Sequence, residues 1–385
     1  MKPVVQLLQE LVSIPSVNPA LTDDPAIGGE ARMAEFLSGY LEDRKFKVEW
    51  YEATRGRPNV VGRFGPDQPR HTILLESHLD TQGIHQMTVP PFDGGVRDGR
   101  LYGRGACDTK GPMAAALTAM DAQTLDRLAA AGVQVIYVGA MGEEKGNIGA
   151  EELVEGGLGA DEAIVFEPTD LNIVHAHKGA LWFEVEVEGL AAHGSNPKLG
   201  VNAIRGMTRA VEVIDKLTDA DAASRSHPLL GTATVNIGVI RGGASINIVP
   251  DRCVMQVDRR TLPGDDHEAI LRDIGKGLDA LKSGGIVRDW HVRKITEGVP
   301  FATPADSALV RGMLAACSAC GVQAKAEGAA WYSDAGPFSR TCKEVAVFGP
   351  GSIRQAHTVD EFIELESLEK GREILSTYLN KLAAS

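Results

Sequence analysis

The chain has 385 residues, 43% of them hydrophobic, and a formal net charge of −13 at pH 7. That length is too great for one ordinary core, so two domains are expected. The acidic balance argues against nucleic-acid binding, and apolar runs of only roughly ten residues are too short to span a membrane. Five cysteines, an odd number, are scattered along the chain and favour a reducing cytoplasm over a disulfide framework.

The first part of the chain alternates helix-like and strand-like patterns. Apolar spacing predicts helices over 4–13, 29–43 and 111–131, and strands over 45–51, 58–64, 71–77, 133–140 and 163–166. A helix at 305–320, a strand at 344–349 and a helix at 365–382 resume this pattern near the end. The alternation predicts an α/β fold whose mostly parallel sheet is covered by helices on both faces.

A different pattern lies between these two parts. Residues 181–188 alternate apolar and acidic side chains, which is typical of a half-exposed antiparallel strand. A helix at 200–217, strands at 232–241 and 246–259, a helix at 266–282 and a strand at 286–296 follow. This β-α-β-β-α-β order is the ferredoxin-like arrangement. We therefore predict a discontinuous α/β domain, residues 1–178 and 295–385, with an α+β domain, residues 179–294, inserted in it.

Imidazole and carboxylate side chains occur where the predicted strands end. The set comprises His78, Asp108, Glu143, Glu144, Glu167 and His357. Open α/β sheets bind ligands beyond the carboxyl ends of their strands, so we expect these side chains to converge on one edge of the sheet. Histidine and carboxylate ligands without thiolate suit Zn²⁺, Co²⁺ or Mn²⁺ in an open hydrolytic site. The sequence therefore predicts a metal site at that edge.

Six short motifs, in this order, are similar to those of the M20 family of metallopeptidases and amidohydrolases. They occupy residues 77–81, 103–111, 142–144, 167–169, 193–195 and 356–358, so the resemblance extends over essentially the whole chain. It implies a zinc-hydrolase catalytic domain with an inserted lid domain. Within the family, segments 167–170 and 349–357 resemble the acetylornithine deacetylases most.

The resemblance assigns roles to the metal-binding residues. It implies two divalent ions, with Zn²⁺ the first choice, and Asp108 as the carboxylate that bridges them. His78 and Glu167 would serve one ion, and Glu144 and His357 the other. It also implies a cis peptide bond beside Asp108.

Two further acids are expected to act beside the ligands. Asp80, two residues from His78, is interpreted as the acceptor that fixes the tautomer of that histidine. Glu143 is expected to be the general base that takes a proton from metal-activated water near neutral pH. The alternative for Glu143 is a spare acid that caps the helix after Gly146.

The inserted domain is expected to supply the substrate contacts. The resemblance implies that His193 stabilises an oxyanion, often from a partner subunit, and that Arg260 grips a substrate carboxylate. Asn247 is expected to add an amide contact. Without the resemblance, His193 would be an exposed loop residue and Asn247 a turn residue. Arg259, which points the opposite way along its strand, is expected to be solvated.

Two other residue pairs are expected to be structural. Cys317 and Cys320 lie in an alanine-rich helical run without a second cysteine or histidine pair nearby, so we interpret them as inert thiols, with a redox pair as the alternative. His175 and His177 share one face of a strand, but the motifs of the family do not use them as ligands.

These observations favour a two-metal hydrolase that cleaves the amide bond of an N-acyl amino acid with a free carboxylate. An N-acetylornithine-type substrate is the first choice, and the alternatives are succinyl-diaminopimelate desuccinylase and a metallo-carboxypeptidase or dipeptidase. A non-catalytic metal-binding member of the fold is the alternative from another class. The expected partners are a small N-acyl amino acid or short peptide and, through a strand edge and helix 200–217 of the inserted domain, a second copy of the chain. Neither nucleic acid nor membrane is expected.

Overall fold

The computed structural model describes residues 2–384, which divide into two compact units. The larger unit contains residues 1–176, 302–328 and 333–385, and the smaller contains residues 177–301 and 329–332. The smaller unit is thus inserted in the larger one. The chain passes between the units at 176/177 and 301/302. The sequence predicts these boundaries at 178/179 and 294/295.

The strands and helices are numbered in chain order. The strands are β1 (Lys47–Thr54), β2 (Arg57–Phe64), β3 (His71–His78), β4 (Val96–Arg97), β5 (Arg100–Tyr102), β6 (Val133–Ala140), β7 (Glu162–Val165), β8 (Ile173–His177), β9 (Gly179–Glu188), β10 (Thr234–Gly242), β11 (Arg252–Thr261), β12 (Asp289–Gly298), β13 (Phe301–Ala302), β14 (Ala326–Ala329), β15 (Glu344–Val347) and β16 (Phe362–Glu364). The helices are α1 (Pro3–Ser13), α2 (Ala31–Glu42), α3 (Lys110–Ala119), α4 (Ala122–Ala130), α5 (Ile148–Glu155), α6 (Ala203–Ser224), α7 (His267–Ser283), α8 (Ala308–Ala319), α9 (Ala335–Phe338) and α10 (Leu365–Leu382).

The central sheet of the larger unit has the order β1-β2-β6-β3-β7-β15-β8. Its middle strands β6, β3, β7 and β15 are parallel and almost fully buried, as continuous apolar runs predict. On either side of these middle strands the pairing is antiparallel, β1 with β2, β2 with β6, and β8 with β15. Strand β8 pairs further with β13 and β14. A small second sheet, β16-β5-β4, joins the segment before α3 to the segment before α10. The predicted mixed α/β fold with a mostly parallel core is confirmed.

Helix α1 buries one apolar stripe, whereas α3 is buried on nearly every side. In α1, which begins at Pro3, the valines and leucines at positions 4, 5, 7, 8, 11 and 12 are buried at helical spacing. The predicted helix 111–131 is wrong in one respect, because it is two helices. α3 ends at Ala119, and α4 begins with Asp121, whose carboxylate accepts the backbone N–H of Thr124 as an N-cap.

The smaller unit has the predicted β-α-β-β-α-β order, and its sheet runs β10-β11-β9-β12 with every pair antiparallel. Along β9, Leu181, Phe183, Val185 and Val187 are buried in a core shared with α6 and α7, while the intervening side chains lie on the other face. The predicted strand 246–259 begins only at Arg252, and residues 246–250 form a loop. Within residues 2–384, no helix is long and apolar enough to cross a membrane.

Candidate metal centre

The side chains predicted to converge follow the carboxyl ends of the central strands. His78 is the last residue of β3, and Glu167 follows β7 by two residues. After β6 the chain turns at Gly142, whose φ of 75° favours glycine, and places Glu143 and Glu144 in a single 3₁₀ turn. His357 follows β15 at the end of a loop and has a φ of 64°.

Asp108 lies between two histidines. Its Oδ1 is 3.1 Å from Nε2 of His78, and its Oδ2 is 3.3 Å from Nε2 of His357. Glu167 Oε1 is 3.9 Å from the same nitrogen of His78, and Glu144 Oε2 is 3.2 Å from that of His357. The two oxygens of one carboxylate therefore face two different ligand sets, which is the geometry that a bridging ligand needs.

The potential ligand atoms form two groups, and inside each group they all lie within 4.8 Å of one another. One contains His78, Glu143 and Glu167, and the other contains Asp108, Glu144 and His357. Glu143, which was expected to stand beside the ligands as a base, thus also lies within ligand distance of the first group. The peptide bond between Asp108 and Thr109 is cis.

The electrostatics of the cluster suit cations. Burial raises the pKa of Glu143 and of Glu167 well above the usual range, and repulsion from neighbouring carboxylates adds to the shift. Burial opposes the charged form of His78, but hydrogen bonds to Asp108 and Asp80 raise its pKa well above the ordinary value. Four carboxylates in so small a volume repel one another more than two imidazoles can offset, whereas divalent cations would balance them.

One buried oxygen supports the same fit. Oε1 of Glu144 has no hydrogen-bond partner among residues 2–384, although its Oε2 accepts from Gln82 at 2.9 Å. Burial opposes the charged form of His357, but hydrogen bonds to Asp108 and Glu144 raise its pKa to about 10. A metal ligand must be the neutral imidazole, so cation binding would displace this proton and become tighter as pH rises. The donor set of histidines and carboxylates therefore fits two divalent cations.

The tautomer of His78 is set by the backbone. Nδ1 of His78 lies 2.9 Å from the carbonyl oxygen of Asp80, which can only accept, so Nδ1 carries the proton and Nε2 is left to face the cluster. The Asp80 carboxylate, expected to fix this tautomer, is 3.5 Å from the ring. It also accepts the backbone N–H groups of Glu143 and Glu144, each at 3.1 Å, and so holds the 3₁₀ turn against the end of β3.

Glu361 is a functional residue that sequence reasoning missed. It is fully buried and accepts the backbone N–H groups of Cys107 and Asp108, at 2.9 and 3.0 Å. It also accepts from the N–H of Gly105 at 3.2 Å and from the guanidinium of Arg104 at 2.7 Å. One carboxylate thereby fixes the loop that presents Asp108. No sequence motif indicates this, because Glu361 stands outside the six motif segments.

The residues expected to bind substrate belong to the smaller unit. The loops that carry His193 and Asn247 are joined by a backbone hydrogen bond from Gly194 to the carbonyl of Asn247, at 2.7 Å. Arg260 lies on β11, pairs with Asp258 at 3.0 Å and has its guanidinium carbon 5.9 Å from the centre of the Tyr332 ring. The structure therefore brings His193 and Asn247 together on adjoining loops.

The expectation for Arg259 is wrong. This side chain is 4% exposed and its guanidinium donates to Thr218 at 3.1 Å and to Asp221 at 2.9 Å. The strand alternation that turns Arg260 to one face turns Arg259 onto the helix-covered face, where α6 supplies its partners. A buried arginine is tolerated there because it is paired.

The pairs interpreted as structural have ordinary environments. Cys317 is buried, and desolvation raises its pKa to about 12, so it is a poor thiolate. Sγ of Cys320 lies 3.3 Å from the hydroxyl of Thr377. His175 is buried and its Nδ1 donates to the carbonyl of Thr303 at 2.7 Å. All five cysteines are free.

The sequence and fold are similar to those of known proteins. An acetylornithine deacetylase of Myxococcus xanthus is 35% identical over 94% of this chain and 97% of its own, and one of Vibrio campbellii is 29% identical over 98% of both chains. The crystal structure of an M20 family metallo-carboxypeptidase from Sulfolobus solfataricus matches the fold with a TM-score of 0.80 at 21% identity, covering 100% of both chains. The model of Peptidase family M20/M25/M40 matches residues 74–381. As its motifs predicted, the chain belongs to Peptidase family M20/M25/M40.

Proposed function

We propose that this hydrolase is a two-metal deacylase that cleaves the amide bond of N-acyl amino acids bearing a free carboxylate, with N-acetylornithine as the first-choice substrate. The observation that carries the proposal is the position of Asp108, whose two oxygens face His78 and His357 at 3.1 and 3.3 Å. The names of the relatives that match over nearly the full chain support the substrate class.

These contacts support the proposed ligand roles. Asp108 would be the shared ligand, His78 and Glu167 would hold one cation, and Glu144 and His357 would hold the other. Bound Zn²⁺, or Co²⁺ or Mn²⁺ in its place, would polarise the amide carbonyl and lower the pKa of water. Asp80 holds the turn that carries Glu143 and Glu144, and Glu361 holds the loop that carries Asp108.

Glu143 is the proposed general base. Its carboxylate lies beside His78 and Glu167, so it can reach a water molecule held at this edge of the sheet. Burial raises its pKa above the usual range of a carboxyl group, and the neighbouring Glu167 carboxylate adds to that rise. The same group can then return the proton to the leaving amine. A positioned base of this kind contributes about 10²- to 10⁴-fold to the rate.

His193 is the proposed oxyanion donor. The backbone N–H of Ser195 donates to its Nδ1 at 3.2 Å, so in the neutral ring the proton is on Nε2. Nε2–H is therefore the available donor for the negative charge that develops on the substrate oxygen. Loss of one such donor costs about 2.7–4 kcal/mol of transition-state stabilisation.

Arg260 and Asn247 are the proposed contacts to the amino-acid part of the substrate. The planar guanidinium of Arg260 suits a carboxylate, and Asp258 holds it in place. Oδ1 of Asn247 accepts from the hydroxyl of Ser245 at 2.6 Å, which leaves the amide N–H₂ to donate to substrate. These contacts fit any amino acid with a free carboxylate, so side-chain and acyl preference depend on other residues.

The proposed assembly is a homodimer formed through the smaller unit. β10 is an edge strand of its sheet, with an open row of backbone hydrogen-bonding groups. Around it Ile240 is 54% exposed, and Ile246 and Ile248, in the following loop, are 105% and 46% exposed. Ile204 on the neighbouring α6 is also exposed. An apolar patch beside an open strand edge suits pairing with a second copy across a two-fold axis.

We also propose a cytoplasmic location, which suits five free cysteines.

Activity after metal exchange tests the function. Chelator-stripped protein is reloaded with Zn²⁺ or Co²⁺ and assayed on matched N-acetyl, N-succinyl and N-formyl amino acids and on dipeptides. We expect chelator-sensitive hydrolysis, fastest on N-acetylornithine, and a loss of at least 10²-fold in Glu143→Ala. Glu155→Ala, which alters an exposed glutamate, is the control and should retain full activity.

Each alternative has its own outcome in this assay. Preference for N-succinyl substrates would favour a desuccinylase, and cleavage of dipeptides alone would favour a peptidase. Equal background rates in the wild type, the Glu143 variant and the stripped protein would overturn the enzyme assignment and favour a non-catalytic metal-binding protein.

A further inference from the structure

A buried polar chain runs behind Glu143. Nδ2 of Asn147 is 2.8 Å from Oδ1 of Asp334 and 3.4 Å from Oε1 of Glu143. Asn147 and Asp334 are each 1% exposed. The carboxyl group of Asp334 also raises the pKa of Glu76, a buried residue of β3 whose shift comes mainly from burial. Asn147, Asp334 and Glu76 are not among the residues whose ligand atoms gather in the two groups.

The orientation of the Asn147 amide is determined by its neighbours. Both Asp334 and Glu143 present carboxylate oxygens, so the N–H₂ side of the amide must face them, and the reverse orientation would set oxygen against oxygen. The amide uses its two N–H bonds for these two acceptors. Its Oδ1 is buried and has no hydrogen-bond partner in the part of the chain that the structure describes. Burying this oxygen without a hydrogen bond costs free energy, so the two hydrogen bonds that the amide N–H₂ group donates must offset that cost.

The backbone at Asn147 also departs from what an ordinary helix start needs. Asn147 is the N-cap of α5, a position where asparagine normally accepts a backbone N–H of the first turn. Here the side chain makes no capping hydrogen bond, and the residue has a φ of 55°. Asparagine is one of the few non-glycine residues that adopt this left-handed conformation readily. The side chain is thus turned away from the helix and towards Glu143.

We propose that Asn147 is a positioning residue for Glu143: anchored by Asp334, its amide donates to Oε1 of Glu143 and holds that carboxylate in the orientation needed for proton transfer. The proposal rests on the proposed role of Glu143 as general base. Glu143 lies in a short turn, and a carboxylate there can rotate about three side-chain bonds. One fixed donor removes that freedom at no cost during the reaction. Asp334 acts through Asn147 and does not itself touch the reacting atoms.

The first test removes the amide without straining the backbone. Asn147→Gly keeps the left-handed φ and deletes both hydrogen bonds, and Lys45→Gly makes the same exchange at an exposed left-handed position of the larger unit. In crystals of the zinc-loaded Asn147→Gly protein, the Glu143 carboxylate is expected to leave its wild-type position while bound zinc is unchanged. kcat is expected to fall 10- to 100-fold with KM within twofold, and Lys45→Gly should match the wild type.

The second test separates positioning from simple structural support. Asp334→Asn replaces the charged acceptor of this hydrogen bond with a neutral amide oxygen, which weakens the anchor. The double variant Asn147→Asp/Asp334→Asn restores a hydrogen bond between these positions but presents an oxygen, not an N–H, to Glu143. We expect the double variant to recover the thermal midpoint lost in Asp334→Asn and to keep a kcat at least 10-fold below the wild type.

The outcomes distinguish the two proposals. An unmoved Glu143 carboxylate in Asn147→Gly crystals, or recovery of wild-type kcat in the double variant, would refute the positioning role. A wild type without hydrolytic activity would refute the proposed function alone, because the crystallographic position of Glu143 still decides the role of Asn147.

Discussion

At the scale of single residues, the centre depends on carboxylates that never need to touch a metal. Asp80 and Glu361 accept backbone N–H groups from the segments that carry Glu143, Glu144 and Asp108. These hydrogen bonds tie the segments that carry the proposed ligands to buried carboxylates, so the segments are held more rigidly than solvent contacts would hold them. A functional loss in such a residue would therefore reflect displaced ligands and not a missing ligand.

Replacement of Glu361 should damage both stability and metal binding. Glu361→Gln leaves the buried Arg104, which is 3% exposed, without a compensating charge, and turns an amide N–H₂ towards backbone donors. We expect the free energy of unfolding to fall by about 3–5 kcal/mol, the range for one broken partner of a buried ion pair. Urea denaturation and bound-zinc analysis measure the two effects. Glu155→Gln is the exposed control, and a Glu361 variant as stable as that control would contradict the clamp.

Sequence reasoning located side chains by their place along the chain and failed where partners are distant. His78 and Glu167 were found because each follows a short apolar run. The contact between Glu361 and Asp108 spans 253 residues, and that between Asn147 and Asp334 spans 187. Neither pair has a spacing that a pattern could reveal. Arg259 was misjudged because strand alternation gives two faces without indicating which one the helices cover.

At the scale of elements, short segments between the elements set the active edge. α5 begins where its first turn packs directly on the end of β6: the N–H of Gly149 donates to the carbonyl of Met141, and Asn59 bonds to both residues. A side chain at Gly149 would place a Cβ 2.3 Å from Oδ1 of Asn59 and 2.5 Å from the Met141 carbonyl oxygen. This close approach fixes where the turn of Glu143 and Glu144 sits.

Two glycine-to-alanine exchanges should therefore change the free energy of unfolding in opposite directions. Gly149→Ala forces helix and strand apart and is expected to destabilise the protein by about 1–3 kcal/mol. Gly39→Ala, in the exposed part of α2 where an added Cβ meets nothing within 4 Å, is expected to stabilise it by about 0.5–1 kcal/mol. The midpoint of denaturant unfolding measures both changes in stability, provided that the dependence of the free energy on denaturant concentration stays the same. A stabilising Gly149 exchange would contradict the described contact.

Sequence patterns predicted the buried elements closely but missed one helix break and the direction of some strands. β6, α10 and the buried parallel strands were predicted closely because long apolar periods leave little choice. The break between α3 and α4 was passed over because apolar spacing continues across it, although Asp121 is an ordinary N-cap signal. The antiparallel pairings of β2 with β6 and of β8 with β15 had no sequence signal, because a run of apolar residues does not indicate its direction in a sheet.

At the scale of the whole molecule, the two units have separate hydrophobic cores. The core of the smaller unit lies between one sheet face and α6 and α7, and its edge strand β10 remains open within the unit. Insertion of an α+β unit was predictable because periodicity changes from buried runs to strict alternation near residue 179. The proposed dimer depends on that open edge.

A charge on the open edge should separate the subunits. Ile240→Lys places a cation on β10, and light scattering after size exclusion is expected to report a monomer where the wild type is a dimer. Ile295→Lys, on the opposite edge strand β12, is the control and should remain dimeric. A monomeric wild type, or dissociation by the β12 exchange alone, would rule out this interface.

The interrupted course of the larger unit makes its centre depend on distant parts of the chain. Residues 177–301 separate Asp108 from His357 and Glu361 in sequence, although all three belong to the larger unit. A fragment that ends before residue 357 would therefore leave Asp108 facing only one of its two imidazoles. The same loss would remove the carboxylate that holds the backbone of the Asp108 loop.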